Sequence, residues 1–165
     1  MAIASVLQNS FKTELLRGLH SFDTSGASPA GNAFKIALYS SGSANLTTTT
    51  TQWVVASTPT ADPTNTYEVT TTGSGYTSGG NALTNTGVAK STVTSYTDFT
   101  DTSWTSASFT ARGCLLYNSS TISGLTTNAA VCSIDFGGDK TVSSGTFTIQ
   151  FPTNDSSSAI IRITS

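Results

Sequence analysis

Two runs in the C-terminal third decide the fold class: DTSWTSASFTARGCLLYN at 101–118 and AAVCSIDFGGDKTVSSGTFTIQF at 129–151. Apolar residues in them recur at every second position, most clearly where Phe147, Ile149 and Phe151 alternate with threonine and glutamine. A period of two is typical of a strand that has one buried and one solvated face. The C-terminal third therefore predicts antiparallel β-structure.

The composition of the whole chain agrees with this prediction. Serine and threonine make up about a third of the 165 residues, while only 10 % of the residues are charged. Threonine, valine, isoleucine and the aromatic residues favour pleated, half-buried surfaces. The length is that of one domain. We therefore expect a single all-β domain over residues 1–165, with a polar surface.

Turn-forming clusters of glycine, serine and asparagine divide the chain into about eight short segments with strand character. We expect an antiparallel β-sandwich, jelly-roll or immunoglobulin-like, in which Gly113 bends one strand or separates two and GGDK at 137–140 forms a turn. The predicted strands are Phe34–Tyr39, Tyr67–Thr71, Gly87–Tyr96, Trp104–Arg112, Gly113–Tyr117, Val131–Phe136, Thr146–Phe151 and Ala159–Ile163.

Two segments lie outside this strand pattern. Residues 1–22 predict an N-terminal arm and one helix over 7–22, because Leu7, Phe11, Leu15 and Leu19 form a stripe at steps of four. Asn9 or Ser10 is the expected N-cap. The helix either packs on a sheet or docks on a neighbouring subunit. Residues 40–66 form a long Thr-rich loop, which is unusual in a small domain unless it has a function.

The charges limit the range of partners. Seven basic residues are spread singly along the chain, which argues against nucleic-acid binding. No apolar run reaches about 20 residues, so we expect no membrane span. The N-terminus lacks the features of a signal peptide, which predicts synthesis in a cytoplasm. A surface with so few charges is weakly protected against self-association, and coverage by other subunits would explain it.

The sequence offers little catalytic chemistry. His20 is the only histidine, and no nucleophile, metalloprotease or phosphate-binding motif is present. The pairs Asp135–Asp139 and Asp98–Asp101 are better explained as turn caps than as acid–base pairs. Two cysteines and one histidine cannot form a standard zinc site. We predict no enzyme activity, no cofactor, no metal and no small-molecule ligand. A hydrolase that uses His20 or Asp135 is the catalytic alternative.

The cysteines and aromatic residues leave alternatives open. Cys114 and Cys132 lie in predicted strands and are either a cross-strand disulfide or two buried thiols, of which a reducing compartment favours the thiols. Five aromatic residues lie in or beside loops and either anchor those loops to the core or stack on sugar rings. They are Trp53, Tyr67, Tyr76, Tyr96 and Trp104.

Six segments carry a family resemblance: FKTELLRGLHSF at 11–22, FKIALY at 34–39, GYTSGGNAL at 75–83, WTSASFTARGCLLYNS at 104–119, IDFGGDKTVSSGTFTIQF at 134–151 and AIIRI at 159–163. In order and spacing they resemble small structural proteins of tailed bacteriophage virions, over nearly the whole chain. The Thr-rich insertion at 43–66 is longer than in that pattern. The resemblance implies no catalytic residues.

The resemblance implies a capsid decoration (cement) protein on the virion surface, made in the cytoplasm of a bacterial host. The expected partners are the major capsid protein and copies of itself, in a homotrimer near threefold positions. Alternatives are a tail or tail-fibre component and a carbohydrate-binding or adhesin sandwich. We expect the least core-like apolar residues to make the contacts between subunits: Ile3, Val6, Leu7, Leu46, Trp53, Val54 and Val55.

Overall fold

Two antiparallel sheets make up the fold. The computed structural model describes residues 3–26, 31–41, 46–54 and 67–165. Its elements are β1 (Val6–Leu7), α1 (Asn9–Leu16), β2 (Phe34–Tyr39), β3 (Asn81–Leu83), β4 (Asn85–Ser91), β5 (Thr94–Phe99), β6 (Thr102–Asn118), β7 (Ala129–Ile149) and β8 (Ile161–Thr164). The five-stranded sheet has the order β1-β7-β6-β2-β3, and the three-stranded sheet has the order β4-β5-β8. The prediction of an all-β sandwich with one N-terminal helix is confirmed.

The long hairpin of β6 and β7 corrects the predicted turn at GGDK. Ala111 pairs with Lys140 and Gly113 with Asp135, so residues 136–139 all lie opposite Arg112. Gly137 takes a φ of 73° there, which glycine adopts without strain. The glycines therefore belong to a bulge of four residues inside one strand of 21 residues, and the chain does not reverse.

Gly113 lies within β6, which is one strand and not two, and the extra residues of the bulge beside it lie on β7. The register between β6 and β7 shifts between Ala111 and Gly113. A β-carbon on Gly113 would lie only 2.8 Å from the Cδ1 atom of Ile3, so glycine lets the N-terminal segment pass closely across the strand. The close contact between the N-terminal arm and β6 thus depends on a glycine at position 113.

Other boundaries differ from the predictions. Tyr67–Thr71 is not a strand, because only Glu68 forms a bridge there, to Tyr39. The short strand β3 was missed among the glycines that precede it. The predicted strand Gly87–Tyr96 is two strands, β4 and β5, which meet at a tight turn where Thr92 has a φ of 50°.

The helix α1 is half as long as predicted. It begins after Gln8, whose side chain makes no capping hydrogen bond, and neither Asn9 nor Ser10 is the cap. Phe11 is buried, whereas Leu16 is 89 % exposed. Gly18, with a φ of 72°, follows the end of the helix. The apolar stripe therefore anchors one turn of the helix on the sheet and does not extend to Leu19.

Both faces of the five-stranded sheet are buried around β2 and the second half of β6. One face carries the main core between the sheets, which includes Phe34, Ile36 and Leu38. The alternating residues of the same strands form a second cluster on the opposite face. Its members are Ile3, Ala37, Tyr39, Leu46, Trp53, Leu115, Tyr117 and Ala130. The N-terminal arm and the described part of the Thr-rich loop cover this second face.

Gly80 supplies a test of this arrangement. It has a φ of 67°, and a β-carbon would overlap the carbonyl oxygen of Ile36 on β2. We expect Gly80→Ala to lower the free energy of unfolding by about 3 kcal/mol, from backbone strain together with the overlap. Gly73→Ala is the matched control, because Gly73 has a φ of 66° and open space around it.

The control should lose only about 1 kcal/mol. Urea unfolding followed by tryptophan fluorescence measures both variants. Equal losses in the two variants would contradict the close packing of the 77–80 turn on β2.

Candidate functional site

An open apolar groove runs between the end of β7 and the segment that precedes β8. It has three adjoining sections of about 490, 300 and 390 Å³, all of which include Ile160. We call it the edge groove. Its apolar walls are formed by Leu7, Ile134, Phe136, Phe147, Ile149, Phe151 and Ile160. Every one of these side chains is half-buried, so the groove exposes the margin of the main core.

The charged groups that line the edge groove are cations. Lys140 lies in the first section and Arg162 in the third, and the lining contains no carboxylate. The arrangement lacks an acid–base pair that could act on a bound molecule. It provides apolar contact area together with polar groups at its rim.

The outer edge of β7 lies beside this groove. β6 pairs along one side of β7, but on the other side β1 pairs only with Cys132 and Ser133. The hydroxyl of Ser5 also accepts the backbone N–H of Asp135, at 3.0 Å. From Phe136 to Ile149, no strand in the described part of the chain pairs with this edge. Unpaired backbone groups beside apolar pockets form a surface that can accept an added strand.

Glu68 is the centre of a polar clamp behind β2. Its carboxylate accepts hydrogen bonds from the Tyr76 hydroxyl at 2.8 Å and from the backbone N–H of Gly79 at 2.6 Å. The Trp53 indole N–H donates to it at 3.3 Å, and the Ser78 hydroxyl at 3.2 Å. One carboxylate thus ties the Thr-rich loop and the glycine-rich turn to the sheet.

The phenols around this clamp stay protonated. Burial raises the pKa of Tyr76, and the negative charge of Glu68 raises it further. The pKa of Tyr117 is raised for the same two reasons. The Tyr117 hydroxyl donates to the carbonyl oxygen of Gly79 at 2.8 Å, and its ring stacks on Trp53 at a centroid distance of 5.4 Å. These groups act as hydrogen-bond donors that anchor a loop.

His20 lies in a second buried network, beyond the helix in which it was predicted. Its Nε2 atom is 3.0 Å from Oε2 of Glu14, and its Nδ1 atom is 3.0 Å from the amide nitrogen of Asn118. An amide N–H can only donate, so Nδ1 accepts and Nε2–H donates to Glu14. The same amide also donates to Asn32. Burial lowers the pKa of His20, against the opposing effect of Glu14.

Three of the four paired aspartates, Asp98, Asp101 and Asp135, serve as caps or tethers, as predicted. Asp135 accepts a bidentate pair of hydrogen bonds from Arg112 at 2.8 and 3.2 Å, which lowers its pKa. Asp98 accepts the N–H groups of Phe99 and Ile160, while burial raises its pKa. Asp101 accepts the N–H of Phe151 at 2.9 Å. Within the described ranges, no group of three or more histidine, cysteine, aspartate or glutamate residues could hold a metal ion.

Cys114 and Cys132 are free, buried thiols. Cys114 pairs with Ile134 and Cys132 with Leu116, so the two residues are diagonal neighbours and do not lie opposite each other. Burial raises the pKa of Cys114 and raises that of Cys132 to about 12. Neither thiol is activated as a nucleophile.

Three of the five aromatic residues considered for sugar stacking are buried. Trp53, Tyr76 and Trp104 are 8 %, 3 % and 4 % exposed. Trp53 and Tyr76 anchor loops and Trp104 belongs to the main core, whereas Tyr67 and Tyr96 keep part of their rings on the surface. The buried rings have no free face for a sugar.

The residues predicted to contact other subunits lie in different surroundings. Val6 and Leu7 line the edge groove, where a partner could reach them. Ile3, Leu46 and Trp53 were interpreted as poorly suited to a core, and this interpretation is wrong, because all three belong to the second cluster. Val54 is half-buried, and Val55 lies outside the described residues.

The sequence interpretation missed the groove residues Phe136, Phe147, Ile149 and Phe151 as candidates for binding. Their alternation was interpreted as ordinary core, and alternation is the same whether the buried face is fully or partly covered. The available signal was the absence of charge from Thr141 to Asn154, which is unusual beside a strand edge.

Comparisons with known proteins leave the chain without an assigned relative. No protein-family model, no curated protein and no solved structure matches it. Among the helices in the described part of the chain, none has the length and apolar character needed to cross a membrane.

The hydrogen bonds of the Glu68 clamp predict that the substitution of one carboxylate oxygen by an amide nitrogen lowers the stability of the fold. Glu68→Gln replaces one acceptor oxygen with an NH₂ group that cannot accept the N–H or O–H donors around it. We expect a loss of about 2 kcal/mol in the free energy of unfolding, measured with urea. Asp139→Asn, at an exposed position in the β7 bulge, is the matched control and should lose less than about 0.5 kcal/mol. A neutral effect of Glu68→Gln would contradict the clamp.

His20 predicts the pH dependence of stability. Its folded pKa lies below the ordinary value of 6.5, so the unfolded chain binds more protons just below that pH. The contribution is fully present above pH 6.5 and is lost as the pH falls towards the folded pKa. His20→Gln should remove this part of the slope, while the remaining carboxylate titrations are common to both proteins. Urea titrations at several pH values between 7 and 5 test this, and parallel curves would contradict it.

Proposed function

We propose that this chain is a non-enzymatic structural protein of a bacteriophage virion, and specifically a capsid decoration protein that binds the assembled head and stabilises it. The observation that carries the proposal is the edge groove beside the unpaired edge of β7. A long strand edge next to half-buried apolar side chains suits contact with another protein chain.

The polar groups support a binding role over a catalytic one. The carboxylates of Glu14, Glu68, Asp98 and Asp135 accept hydrogen bonds that anchor loops or tether the β7 bulge. The edge groove contains apolar walls and two cations. Apolar area with few fixed charges favours association with a complementary protein surface.

The phage role is supported by the resemblance of segments from Phe11 to Ile163 to small virion proteins. A decoration protein that binds only the assembled shell stabilises that shell by mass action, since the free subunits offer no site. The proposed partners are the major capsid protein and copies of this chain, with the protein on the capsid surface after synthesis in the bacterial cytoplasm.

Localisation in the virion tests the role. We expect cryo-electron microscopy of virions of the encoding phage to show this protein on the head, and virions without it to release DNA at a lower temperature. Purified protein added back should restore the release temperature. Virions that lack the protein, or carry it only on the tail, would end the decoration role.

The add-back assay also tests the edge groove. Ile149→Glu places a charge on a groove wall and should weaken binding to undecorated heads by about tenfold or more. Ile163→Glu is the matched control, because Ile163 is 58 % exposed and lies outside the groove lining. Circular dichroism establishes that both variants fold. Equal binding of the two variants would remove the groove from the capsid contact.

A further inference from the structure

We propose that β7 pairs with β7 of a second copy of this chain, antiparallel about a two-fold axis that passes beside Phe147. The pairing would join the two five-stranded sheets into one continuous sheet. This inference concerns the outer edge of β7 alone and does not depend on the virion role.

The first argument is the absence of charge on this edge. Exposed edges usually carry lysine, proline or inward-pointing charges that prevent pairing with another edge. From Thr141 to Gln150, β7 and the residue after it have no charged side chain and no proline. A two-fold axis brings identical residues close together, so an uncharged edge avoids the like-charge repulsion that would otherwise oppose a self-contact.

The second argument is the regular backbone of the last part of β7. Trp104 pairs with Phe147 and Ala107 with Gly145, so two residues of β6 lie opposite one residue of β7 between these pairs. The extra residue of this register shift is therefore on β6. A second bulge of β7, at Ser144 with a φ of 49°, lies just before this part. The five residues from Gly145 to Ile149 therefore offer an uninterrupted ladder to a partner strand.

The third argument is the register that this part of β7 allows. In a two-fold antiparallel pair, opposite residues face the same side, so their sequence numbers differ by an even number. An axis at Phe147 places Thr146 opposite Thr148 of the second copy and Phe147 opposite itself. Threonine pairs and aromatic pairs are favourable across strands. The two edge grooves would lie on the same side of the joined sheet and form one continuous apolar surface.

The trimer expected from the resemblance fits this edge less well. A ring of three copies needs two unlike edges on each subunit. Among the strands of the described ranges, the second edge beside the groove without a partner belongs to β8, which has four residues and includes Arg162. Pairing β8 with β7 would bring that arginine to a groove lined by Lys140 and by no carboxylate. The self-pairing of β7 brings no such charges together.

Sedimentation measures the association directly. We expect a dimer of twice the 17.0 kDa chain mass. In Thr146→Lys/Thr148→Lys, lysines would face lysines across the axis, and the dissociation constant should rise by about tenfold or more. Thr105→Lys is the matched control at an exposed threonine one strand further in, on β6. A monomer, a trimer, or a dimer that tolerates the double substitution would overturn the proposal.

Cysteine cross-linking tests the register independently. We expect an equal mixture of Thr146→Cys and Thr148→Cys proteins to form a disulfide-linked dimer, with much less cross-linking of either variant alone. Phe147→Cys should cross-link with itself. Cys114 and Cys132 are buried and serve as an unreactive background. Absence of the mixed cross-link, or equal cross-linking by each single threonine variant, would overturn the two-fold register.

Discussion

The pairing of β6 with β7 is the interaction on which the rest of the structure depends. β2 adds to one side of this hairpin and β1 to the other, so the five-stranded sheet cannot form without it. All six residues 113–118 of β6 are buried, because alternate side chains contribute to the two clusters on opposite faces. Loss of the hairpin would therefore expose both clusters together, which makes the described core one cooperative unit.

The β6–β7 hairpin extends beyond the described strands and segments that pair with it or cover its faces. Its half around Cys114 and Cys132 has neighbours on both sides and apolar layers on both faces. Its other half, which ends at Thr102 and Ile149, has a partly buried face and a β7 edge with which no strand of the described ranges pairs. The bulge at residues 136–139 lies between the two halves, and the side chain of Arg112 holds it through hydrogen bonds to Asp135. The edge groove is thus a consequence of a strand that continues beyond its sheet.

The sequence predicted the parts that local periodicity controls. The alternation at 147–151 and the strand Phe34–Tyr39 are present, and a bulge lies beside Gly113. The GGDK segment was mistaken for a turn, because glycine with φ above zero serves a bulge as well as a reversal. The burial of Leu46 and Trp53 depends on partners far away in the chain, and no local pattern encodes such contacts. The partial burial of the groove walls also depends on distant segments, so no local pattern predicted it.

The low charge of the chain and the unpaired edge of β7 have one physical explanation. Edge strands of free-standing domains carry charges because an unprotected edge associates with other strands. Here the described carboxylates at Glu68 and Asp98 are used internally, where they satisfy buried donors, and the edge receives none. A protein whose edge remained in water would gain solubility from a single lysine near Phe147. The absence of such a lysine is better explained if another chain covers this surface, because a buried charge would weaken the binding of that chain.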